Sequence, residues 1–145
     1  MALLSNRINN LAESATLAMA RKSRELTAQG KDVINLSLGE PDFNTPGYIK
    51  DAAKKAIDDN YTHYPPVAGY QDLREAICKK LKRDNNLAFT PDQIVVSTGA
   101  KQSIANVVLA LVNPGEEVLL PAPFWVSYRE IVKLAEGIPV YIPTA

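Results

Sequence analysis

Apolar positions change their spacing partway along this chain. Up to about residue 85 they recur every three or four residues: Ile8, Leu11, Ala15, Ala18 and Leu26, then Ile49, Ala52, Ala53, Ala56 and Ile57, then Leu73, Ala76, Ile77 and Leu81. That is the spacing of one face of a helix. It predicts helices over 7–28, from Thr45-Pro46 onward, and over about 70–83. Gly30 stops the first. Thr45 then Pro46 suits an N-cap and first turn, where proline's missing N–H is not needed. Val33-Ile34-Asn35-Leu36 reads as a short extended piece leading to the loop Gly39–Phe43, and a tyrosine- and proline-rich connection runs over 60–69.

From residue 93 short apolar runs alternate with helical patterns. The order is strand 93–97, helix 101–112, turn Asn113-Pro114-Gly115, strand 117–120, helix 124–135, Gly137 and strand 138–142. Strand–helix alternation predicts an α/β fold with a parallel sheet and right-handed crossovers. The chain carries no internal repeat and no low-complexity tract.

Composition narrows the classes. The 145 residues are 46% hydrophobic and 22% charged, which is globular rather than disordered. Lys plus Arg and Asp plus Glu number 16 each, so no net charge draws the chain to nucleic acid or an anionic membrane. No apolar run is long enough to span a bilayer and none follows Met1 as a signal would, so the expected compartment is the cytoplasm. One cysteine, Cys78, and one histidine, His63, cannot build a metal framework. Cys78 reads as a core or near-core residue in a helical pattern, and His63 as a solvated loop residue.

The chemistry concentrates at two neighbouring strand ends. Ser97-Thr98-Gly99-Ala100-Lys101-Gln102 follows the run Ile94-Val95-Val96 and precedes a helix. A strand that turns through glycine into a helix start presents free N–H groups and the positive end of the helix dipole, a place for phosphate. The next strand closes on Pro121-Ala122-Pro123-Phe124-Trp125-Val126-Ser127-Tyr128, which offers an aromatic plate. Together they suit a flat, phosphorylated cofactor. A mononucleotide loop fails on spacing, because no earlier glycine completes the pattern before Gly99-Ala100-Lys101, and the dinucleotide pattern G-x-G-x-x-G is absent.

These segments, with Ser14-Ala15-Thr16, Leu36–Phe43, Tyr61-Thr62-His63-Tyr64, Gly69, Leu73–Ile77 and Asn113–Val118, make the chain resemble the fold type I, pyridoxal-phosphate-dependent aminotransferases, nearest to the bacterial kind of aspartate aminotransferase. The resemblance implies an N-terminal arm and small-domain segment over 1–46 and the start of a large cofactor-binding domain over 47–145. It also implies a three-layer α/β/α sheet that is incomplete here. It puts the N–H groups of Gly99, Ala100 and Lys101 on the phosphate of pyridoxal 5'-phosphate and Trp125 on its ring and beside the substrate carboxylate. Gly39 would meet the bound amino acid, and Tyr64 would reach the phosphate of the other subunit of a homodimer. The implied reaction moves an amino group from an L-amino acid, aspartate or glutamate, to a 2-oxo acid.

In that family the lysine forming the imine with the cofactor lies much further along the chain, as do the acid at the pyridine nitrogen and the arginine for the substrate α-carboxylate. None maps onto residues 1–145, so the expectation is a fragment without turnover, whose strand 93–97 does not pair with 117–120. Two alternatives stay open: a non-catalytic dimerisation or interaction module, and an enzyme of the same fold with another amino-acid substrate. Ala12 and Glu13 stand where relatives that also accept prephenate tend to carry a basic residue, which speaks against that extra activity.

Overall fold

Two serines cap two helices where the apolar spacing predicts one. In the computed structural model, which describes residues 3–144, Ser5 Oγ accepts the N–H of Ile8 and Ser14 Oγ that of Leu17. The first cap starts α1 (Asn6–Asn9) and the second α2 (Ala15–Ala28), so the helix expected over 7–28 is broken at 10–14. A serine oxygen satisfying an orphan N–H competes locally with helix continuation, which is why the periodicity alone misled.

The chain divides into two compact units, one of them Glu40–Ser97 and the other formed by the residues on either side. Within Glu40–Ser97, α3 (Gly47–Asp58) has Pro46 as its cap position, one residue later than Thr45-Pro46 implies. The fourth helix, α4 (Gln71–Asn85), ends on Asn86 in the left-handed conformation, a conformation asparagine tolerates better than most residues. Cys78 is half-buried on α4. The guanidinium of Arg74 donates to the Pro91 carbonyl at 3.0 Å, tying α4 to a 3₁₀ turn at Pro91–Gln93.

The expected strand 93–97 does not form, and, as expected, these residues do not pair with 117–120. Residues 94–97 carry no sheet ladder; Ile94 N–H donates to the Pro91 carbonyl at 3.1 Å, and Val96 N–H donates to the Ala68 carbonyl at 3.0 Å. That approach needs Gly69: its φ is +94°, and a Cβ there would stand 2.6 Å from Val96 Cγ2. Residues 33–36 likewise form no ladder.

In the other unit α5 (Ala100–Leu111), β1 (Glu117–Ala122), α6 (Val126–Leu134) and β2 (Ile138–Pro143) follow in order. The strands β1 and β2 are parallel, with Glu117 opposite Ile138 and Leu120 opposite Tyr141. The crossover helix α6 supplies the buried Ile131 and Val132, which with Leu120 and Ala135 make most of the core. Val118, Leu120 and Ala122 alternate inward along β1, whereas Leu119 on the opposite face is 60% exposed. A two-stranded sheet with one apolar face uncovered is the incomplete α/β layer the sequence implies.

Candidate functional site

The start of α5 is built by its sequence to hold an anion. Gly99 takes the cap position with φ +82°, a conformation that glycine alone adopts cheaply, and no heavy atom stands where its Cβ would lie. Gln102 and Ser103 both donate to the Gly99 carbonyl, closing the first turn. The side chain of Gln102 folds back so that Oε1 accepts the Thr98 N–H. The N–H groups of Gly99, Ala100 and Lys101 have no hydrogen-bond acceptor among the described residues. Three adjacent donors facing open space at the positive end of a helix fit a phosphate monoester.

The start of α6 supplies the plate. Trp125 is its cap residue, has no side-chain cap bond and is 44% exposed. The loop before it runs through a cis Ala122–Pro123 bond. It is pinned on one side by Phe124, whose ring stacks on Tyr141 of β2 at 5.5 Å and 16°. The Lys101 ammonium lies 5.9 Å from the centre of the Trp125 ring. The structure therefore brings Gly99, Ala100, Lys101 and Trp125 to adjoining helix starts on packed helices.

Gly39 has an open Cβ direction and no hydrogen bond to the cradle among the described residues. Tyr64 stands in the Glu40–Ser97 unit with its ring fully exposed. His63 is exposed too.

A groove of about 890 Å³ runs beside the plate rather than over the cradle, lined on one side by Leu11–Ala15 and on the other by Ala122–Phe124 and α6. Glu130 holds it together: Oε2 accepts the Ala12 N–H at 2.9 Å, while Oε1 meets Arg129 at 2.9 Å and Lys133 at 3.5 Å. Burial pushes the Glu130 carboxyl up, but the Ala12 N–H, Lys133 and Arg129 outweigh it and hold the group below its ordinary value. The sequence pattern contains Gln102 without showing its role, and it does not single out Glu130. Only Gln102 left a signal, a glutamine one turn beyond a glycine cap.

The family described as aminotransferase class I and II matches residues 31–145. The chain is 52% identical to the aspartate/prephenate aminotransferase of Nitrosomonas europaea, over 97% of this chain and 36% of that protein. It is 54% identical to the aspartate aminotransferase of Pinus pinaster, over 97% of this chain and 29% of that one. Among solved structures, the aspartate aminotransferase of Thermus thermophilus with maleate superposes on all of this chain and 38% of its own, at 43% identity and a TM-score of 0.95. The chain thus spans about a third of the length of these relatives, and over that length its fold is theirs.

Proposed function

This chain belongs to the class I and II aminotransferases, and from that premise we infer that it carries the phosphate cradle and ring plate of an enzyme that transfers the amino group of aspartate or glutamate to a 2-oxo acid. The observation that carries this reading is the set of three unpartnered N–H groups on the exposed residues Gly99, Ala100 and Lys101, the last of which carries an ammonium 5.9 Å from the Trp125 ring. Pyridoxal 5'-phosphate, when bound, supplies the electron sink that lets a substrate Cα–H bond ionise. The protein's part is to hold it: the cradle fixes the phosphate, and Trp125 presents a flat apolar face to the ring.

Gly39, with no side chain in the way, is assigned to the substrate backbone. Tyr64, fully exposed, is assigned to the phosphate of a second subunit in a homodimer. The names of the relatives support a dicarboxylate substrate. Prephenate, named for the Nitrosomonas relative, is left out because Ala12 and Glu13 put no cation before Ser14. No lysine of residues 1–145 is assigned to imine formation.

Calorimetric titration with pyridoxal 5'-phosphate tests the reading. Replacing Trp125 with alanine should weaken binding by roughly three- to tenfold, the scale of one aromatic stacking contact. An affinity the same in both proteins would remove Trp125 from the site.

A further inference from the structure

We propose that Lys101 is a positioning residue for the Trp125 plate, so that a single residue joins the two halves of the site. Its backbone N–H is one of the three unpartnered donors at the start of α5, and its ammonium lies 5.9 Å from the centre of the indole ring. That is within the roughly 6 Å over which a cation is attracted to an aromatic face. Two further observations give the contact weight. The Lys101 ammonium makes no ion pair or hydrogen bond among the described residues, whereas Gln102, its neighbour, is engaged with Thr98. Trp125, for its part, makes no side-chain hydrogen bond or ring–ring contact among those residues, although it is 44% exposed. The Lys101 ammonium is thus the one polar or charged group found against the plate among the described residues.

The placement follows from the helices. Lys101 is the second residue of α5 and Trp125 the cap residue of α6, and the two helices pack on each other. A four-carbon stem from the second position of α5 reaches the α6 start without leaving the surface. The inference rests on the reading above only for what the plate is for; the contact itself needs no cofactor.

Trp125 is the only tryptophan in the chain, so its emission reports on this residue alone. The experiment measures tryptophan emission and acrylamide quenching of the ligand-free protein, its Lys101→Met variant and its Lys101→Arg variant. Loss of the cation should release the ring: the ratio of held to released conformers falls about two- to fivefold, the strength of an exposed cation–π contact. Quenching therefore rises in Lys101→Met and stays near the original value in Lys101→Arg. Unchanged quenching in Lys101→Met overturns the proposal. An equal rise in both variants overturns it too, because the aliphatic stem and not the charge would then be responsible. Pyridoxal 5'-phosphate titration of the unaltered protein is read separately: its failure would remove the cofactor reading and leave the quenching result standing.

Discussion

The carboxylate of Glu130 accepts the backbone N–H of Ala12 at 2.9 Å, although 118 residues separate them. Ala12 lies in the link between α1 and α2, so this bond sets where Ser14 can cap the longer helix. Replacing Glu130 with alanine should leave that N–H without its partner and cost about 1 kcal/mol. Hydrogen exchange should show lost protection at Ala12 while the α6 amides keep theirs; equal exchange at Ala12 in both proteins would contradict the assignment.

The same bond gives the segment a pH dependence. Glu130 is held below its ordinary value of 4.5 despite the upward push of burial. A carboxyl with a depressed folded pKa contributes stability above its unfolded value, and that contribution is lost as pH falls through the folded one. Ala12 protection should therefore hold near neutral pH and decline below 4.5. In Glu130→Ala the decline should vanish, and its persistence there would point to another group.

How far the sequence could be read is clearest at particular residues. Local chemistry was legible: Gly99 ahead of Ala100-Lys101 marked a helix start, and Trp125 between two strands marked the loop that closes β1. Two features failed for opposite reasons. The serines at 5 and 14 act through single hydrogen bonds that apolar periodicity does not register, so α1 and α2 read as one helix. Residues 94–97 have strand composition, but a strand needs a neighbour, and no ladder forms on them. The Glu130–Ala12 bond joins distant positions with no local pattern, and only folding reveals it.

Gly69 and Gly99 share a positive φ but differ in their surroundings. At Gly69 a Cβ meets Val96 Cγ2 at 2.6 Å, while at Gly99 it meets nothing within 4 Å. Gly69→Ala should therefore destabilise by roughly 2–4 kcal/mol, combining strain with overpacking, and Gly99→Ala by about 1–2 kcal/mol from strain alone. Denaturant titration of both variants checks the order; a larger loss at Gly99 would contradict it.

Borohydride reduction in the presence of pyridoxal 5'-phosphate, followed by peptide mass mapping, addresses the reactive centre. No stoichiometric adduct should form at a single lysine of these 145 residues. One dominant adduct would mean that the chain makes its own imine site.

The most direct test of the cradle is amide chemical-shift mapping with pyridoxal 5'-phosphate and, in parallel, with pyridoxal, which lacks the phosphate. The phosphorylated ligand should move the amides of Gly99, Ala100 and Lys101 most, and pyridoxal should leave them in place. Equal shifts with both ligands, or shifts confined to residues away from the start of α5, would contradict it.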